Sequence, residues 1–182
     1  GIHIPADVES LGENAFFQNT SLKTVTIEEN SNLDSIGTAA FRGCSSLTDF
    51  TFNGDMRASI QLDIGDAVFA GCGSLERVGQ LASSASQMNI HPNFQHTNSD
   101  GTNVYLLPQN VKTLGVDNGI GVFSDCISLK QIGFMDNQTN GWELKIPKET
   151  FERCKLYNLI ILDRDTVIPD DLFLKNGDEK EQ

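Results

Sequence analysis

The sequence predicts a solenoid: a mostly β stack of about six coils, 25–28 residues each, whose strands line up as a parallel sheet. Three marks that recur in step predict it. The first is an apolar residue, two free positions, an apolar residue, one free position and a last apolar residue, as in Leu22-Lys23-Thr24-Val25-Thr26-Ile27. The second is a Phe followed by Cys and then Leu at intervals of three, as in Phe41, Cys44 and Leu47. The third precedes the Phe and runs from Ile-Pro to Leu-Gly, as in Ile4-Pro5 through Leu11-Gly12.

The first mark returns at Leu47-Phe50-Phe52, Leu75-Val78 with Gln80 in the last slot, Thr102-Tyr105-Leu107, Leu129-Ile132-Phe134 and Leu156-Leu159-Ile161. Its first positions are separated by 25, 28, 27, 27 and 27 residues. A repeat of this length carrying Leu-x-x-Leu-x-Leu defines a leucine-rich-repeat solenoid, mostly β with short turns or 3-10 segments. Apolar and polar residues alternate near the end of each mark, as in a half-buried strand. In the last coil the frame Tyr157-Ile160-Leu162 fits as well as Leu156-Leu159-Ile161.

The second mark recurs as Phe69…Cys72…Leu75, Phe123…Cys126…Leu129 and Phe151…Cys154, with Asn19 in the Cys slot after Phe16. Phe94…Thr97 reads as a degenerate copy. The Phe of each coil is expected to stack on the Phe of the next, because one coil cannot bury its face alone. The third mark repeats at Leu107-Pro108 through Leu114-Gly115 and, shortened, at Ile146-Pro147 and Ile168-Pro169; the last begins a coil, with Phe173, that is not finished. Each proline sets a rigid start to the far side of its coil. Gly37, Gly65 and Gly115 fall at matching turns, where a positive φ is affordable.

These marks make residues 1–176 one solenoid domain, with an irregular coil at 80–103, a polar loop insertion at 135–143 and a charged tail at 177–182. The net charge of −12 repels nucleic acid and anionic membrane. No apolar run approaches the ~18 residues of a membrane span.

Little in the chain suggests chemistry. Each cysteine stands alone in its coil, so no Cys-x-x-Cys pair converges on a metal. Stacking would bring Cys44 near Cys72 and Cys126 near Cys154, with side chains parallel, which favours buried free thiols acting as small hydrophobes. His91 and His96 fall in the irregular coil without a third ligand, and no nucleophile elbow or phosphate-binding glycine loop is present. No catalytic residue, metal or cofactor is therefore expected. The glycosylation-like triplets are Asn19-Thr20-Ser21 and Asn137-Gln138-Thr139. Asn19 occupies the Cys slot and is expected to be unreachable.

The combined pattern, read in one stretch as Ile36-Gly37-Thr38-Ala39-Ala40-Phe41-Arg42-Gly43-Cys44-Ser45-Ser46-Leu47, resembles the BspA-type leucine-rich repeats of bacterial surface proteins. The likeness runs from about Ile4 to Phe173. It implies a secreted or cell-surface protein, adhesin-like and non-catalytic, whose ligand is a protein such as host extracellular matrix or another bacterial surface protein. The alternative is a structural spacer or assembly domain of a larger surface protein. The motif is a scaffold motif and transfers no binding residue.

Candidate binding positions come instead from the free positions of the strands. They are Thr24, Thr26, Asp49, Thr51, Arg77, Val104, Leu106, Gln131 and Asn158. Trp142, in the 135–143 loop, is the competing candidate, because aromatic and Arg side chains dominate interface energetics.

Overall fold

The structure is a computed structural model that describes residues 1–81, 103–134, 144–156 and 158–161, with Pro169 and Leu172. Among these residues there are strands and turns and no helix. The strands are β1 (Ile2–Ile4), β2 (Ser10–Leu11), β3 (Thr24–Ile27), β4 (Ser35–Ile36), β5 (Asp49–Phe52), β6 (Leu62–Ile64), β7 (Arg77–Leu81), β8 (Tyr105–Leu107), β9 (Val111–Leu114), β10 (Gln131–Phe134) and β11 (Asn158–Ile161). They form a seven-stranded sheet in the order β1-β3-β5-β7-β8-β10-β11 and a four-stranded sheet in the order β2-β4-β6-β9.

The alternation within each repeat sets the register. Val25 and Ile27 of β3 sit opposite Phe50 and Phe52 of β5, and all four are buried, while Thr24, Thr26, Asp49 and Thr51 between them are half-exposed. In β11, Leu159 pairs with Ile132 and Ile161 with Phe134, so the last coil uses the Leu156 frame rather than the Tyr157 frame.

The spacing of Phe, Cys and Leu has a hydrogen-bond origin. The Cys44 N–H donates to Phe41 O at 3.1 Å, and the Leu47 N–H to Cys44 O at 3.0 Å. The same two turns follow Phe16, Phe69 and Phe123. Two consecutive three-residue turns thus aim Phe, Cys and Leu at the core. The rings stack with centroids 5.0 Å apart for Phe16–Phe41, 5.8 Å for Phe41–Phe69, 5.4 Å for Phe69–Phe123 and 5.6 Å for Phe123–Phe151. Phe50 meets Phe41 and Phe69 edge-on. Such pairs add about 0.5–1.5 kcal/mol each beyond burial. Pro5, Pro108, Pro147 and Pro169 each accept, through the carbonyl, the N–H three residues on.

One expectation needs correction. Phe69 stacks directly on Phe123, and β6 pairs directly with β9, so the row passes from Phe69 to Phe123 with no ring between them; Phe94 itself lies outside the described residues. The reason is visible in β7. It runs parallel to β5 through Arg77–Gly79 and then antiparallel to β8 at Gln80 and Leu81. The break falls at Gly79, whose φ of 113° and closeness to the Leu106 carbonyl exclude a side chain. Gln80, in an apolar slot, is buried with its Oε1 unpartnered. Of Gly37, Gly65 and Gly115, only Gly115 uses the positive φ that glycine affords. Gly37 and Gly65 are required by close approach: a Cβ would lie 2.5 Å from Glu13 N and 2.7 Å from Thr38 N, respectively, on the preceding coil.

Candidate binding face

Three adjacent strands assemble most of the expected face. Thr24, Asp49 and Arg77 form one column across β3, β5 and β7, and Thr26, Thr51 and Gly79 the next. Gln131 pairs with Asn158 on β10 and β11. The Gln131 side-chain amide donates to Asn103 O at 2.7 Å. Trp142 lies outside the described residues, as do Asn137, Phe173, Asn176, His91, His96 and the 177–182 tail. Val104 and Leu106 do not belong to the exposed face: both are buried. Leu106 pairs in register with Gly133, on the column facing away from the Phe row, so alternation alone did not reveal that this part of the sheet is covered.

An ion pair between Arg77 and Asp49 stitches the face. Arg77 Nη2 donates to Asp49 Oδ2 at 2.9 Å, and Nε donates to Oδ1. Thr48 Oγ1 donates to Asp49 Oδ2 at 2.6 Å. The Arg77 guanidinium holds the Asp49 carboxyl below its ordinary range, partly offset by burial. The Asp49 side chain is 17% exposed and Arg77 43%. Arg77 is therefore presented to solvent with its inner edge already committed, as a fork anchored by its neighbour. Parallel pairs tie later coils: Arg153 binds Asp125 through two bonds of 2.6 Å, and Lys145 pairs with Asp117.

The cysteines form a buried row. All four are free. Each thiol donates to the Phe carbonyl of the coil before it: Cys44 to Phe16 at 3.0 Å, Cys72 to Phe41 at 3.1 Å, Cys126 to Phe69 at 3.1 Å and Cys154 to Phe123 at 2.8 Å. The slot is thus a donor site as well as a hydrophobic one. Burial pushes all four thiols up, Cys72 and Cys154 to about 12. Thiols held protonated make poor nucleophiles and metal ligands. Asn19, in the same slot of the first coil, is exposed, contrary to expectation, and its Oδ1 accepts the Ser21 N–H at 3.2 Å.

One corner of the solenoid is larger than its counterparts. In three coils a single residue separates the corner glycine from the left-handed residue before the Phe turn: Glu13 before Asn14, Thr38 before Ala39 and Asp66 before Ala67. In the fourth, residues 116–120 lie between Gly115 and Gly121. The signal was the distance from Leu-Gly to Phe, which grows by four residues between Gly65…Phe69 and Gly115…Phe123. Asp66 accepts the N–H groups of Ile120 and Gly121 at 2.9 and 3.1 Å, which holds this enlarged corner in place.

The sequence profile of the BspA-type leucine-rich repeat region matches six copies, over residues 1–98 and 58–178. The chain belongs to this family. No curated protein matches the chain. Among solved structures, this BspA-type chain is similar to a leucine-rich repeat protein of T. pallidum, at 21% identity over 100% of this chain and 86% of that one, with a TM-score of 0.46. It is also similar to a leucine-rich repeat protein from Bacteroides ovatus, at 21% identity, covering 93% of this chain and 51% of that one, TM-score 0.36. A third is a leucine-rich cell surface protein from Faecalibacterium prausnitzii, at 18% identity, covering 90% and 61%, TM-score 0.25. The BspA-type motifs account for the Phe row, the thiol row and the strand cores, all scaffold. No described helix is long and apolar enough to cross a membrane.

Proposed function

We propose that this BspA-type chain is a secreted or surface-attached module that binds another protein through the face of β3, β5 and β7, without catalysis. One observation carries the reading: Thr24, Thr26, Asp49, Thr51 and Arg77 remain half-exposed in two contiguous columns on a rigid sheet, with Arg77 fixed by Asp49. A pre-organised guanidinium loses little entropy on binding, and repeat solenoids bind along such surfaces. The family membership supports the surface location.

The test is binding of the immobilised chain to extracellular matrix proteins and bacterial surfaces. A variant changed together at Thr24, Asp49, Arg77 and Gln131 runs beside it. Saturable binding that this variant loses supports the reading. Binding that it keeps moves the site elsewhere, with Trp142 the next residue to change. The second reading, a structural spacer, is favoured by the mutual satisfaction of Asp49 and Arg77 and gains if the folded chain binds nothing on the panel.

A further inference from the structure

We propose that Asn53 is a self-modifying site, where the Gly54 peptide nitrogen displaces the side-chain amide and leaves aspartate and isoaspartate just after β5. The chemistry needs only the chain and water. The Gly54 nitrogen attacks Asn53 Cγ, and the new C–N bond closes a cyclic imide. The side-chain nitrogen departs as ammonia, taking the proton shed by the peptide. Water then opens the ring at either carbonyl. One opening restores the main chain with an aspartate, and the other routes it through the side-chain carboxyl as isoaspartate.

Asparagine is thermolabile, and a following glycine, lacking a Cβ, leaves its nitrogen open to this approach. Asn-Gly occurs at Asn53, Asn118, Asn140 and Asn176. The last two lie outside the described residues. Exposure does not separate the first two: both asparagines are exposed and both glycines half-buried.

Hydrogen bonding does separate them. The Gly119 N–H donates to Val116 O at 3.1 Å. The N–H groups on either side are held as well, Asn118 by Glu149 at 3.3 Å and Ile120 by Asp66 at 2.9 Å. Attack at Asn118 must break the first bond and twist a loop tied at successive positions. In the other turn the Asn53 N–H donates to Ile27 O at 2.9 Å, and Asp55 O accepts the Asn30 N–H at 2.8 Å. Between these anchors the Gly54 N–H has no partner among the described residues. The fold also keeps the reactive pair together: a Cβ on Gly54 would lie 2.9 Å from Glu29 Cβ on the preceding coil. The product adds a negative charge beside Glu29, and its isoaspartyl form lengthens the main chain between the two anchors.

Peptide mapping by mass spectrometry tests this on the full chain, incubated warm in mildly alkaline buffer, with isoaspartyl methylation as the second readout. The same incubation is run in urea, and circular dichroism checks the fold. In the folded chain Asn53 is expected to convert about tenfold faster than Asn118, the effect of one retained hydrogen bond at the nucleophile. In urea the two rates converge. Asn53→Gln removes the isoaspartate at that position and leaves the Asn118 rate unchanged. A folded chain in which Asn53 stays intact, or converts no faster than Asn118, overturns the proposal. So does a difference between the two that persists in urea.

Discussion

Alkaline pH should unfold this protein through its thiols. Cys72 and Cys154 are pushed from 9.0 to about 12 in the folded chain, and Cys44 and Cys126 are raised as well. Burial is the main cause, and the sign follows from it. An unfolded thiol loses its proton near 9 while the folded one keeps it, so above that pH the unfolded state binds fewer protons and stability falls. The contribution is whole below pH 9 and is lost as pH rises toward 12. Between pH 8 and 10 each such thiol removes about 1.4 kcal/mol, or ~3 kcal/mol for Cys72 and Cys154 together. Urea unfolding at intervals over this range measures the slope, and the double variant Cys72→Ala, Cys154→Ala isolates the thiol share. The variant starts less stable, because each substitution deletes a buried sulfur and its hydrogen bond, about 2 kcal/mol apiece. Its stability should nevertheless fall less steeply with pH. Equal slopes for the two proteins, or thiolate absorbance rising near pH 9 in the folded chain, would refute the account.

Other outcomes follow from the same contacts. Asn19→Cys should place a thiol at an exposed slot that reacts promptly with a disulfide reagent, while the four native thiols react only on unfolding. Gly65→Ala should cost about 2–4 kcal/mol, since its Cβ would lie 2.7 Å from Thr38 N and must push coils apart. Gly12→Ala, with nothing within 4 Å of the added carbon, should be nearly neutral by the same thermal melt. A double-mutant cycle on Asp49 and Arg77 should give a coupling of about 0.5–1 kcal/mol at neutral pH. Because Arg77 lowers the Asp49 pKa, that coupling is present above 3.8 and disappears as pH falls through the lowered value.

The periodic part of this molecule was legible because burial is periodic: a Phe, a Cys and a Leu every coil announce the core without any knowledge of the backbone. What the sequence concealed depends on neighbours in space. Gly37 and Gly65 look like turn glycines, yet they are needed because the preceding coil passes too close for a side chain. The cysteines look like small hydrophobes, yet their carbonyl partners lie a coil away. Leu106 alternates outward as a free position should, but alternation reports direction and not whether that direction is open. Asp49 and Arg77 each occupy a free position of their strands. That they satisfy one another follows from their shared column, which is readable only once the register is fixed.

The departure at Gly79 has a geometric result. Both β7 and β8 sit in the long sheet between β5 and β10, whereas β6 meets β9 directly and Phe69 meets Phe123. One wall of the column holds a rung that its other walls lack. Strands are spaced about 4.8 Å apart and facing layers about 10 Å, so a rung taken up wholly as tilt turns the axis by roughly 25°. The rungs before this wedge and those after it then look in different directions. With such a turn, a flat partner seated on β3, β5 and β7 would meet β10 and β11 at that angle rather than flush.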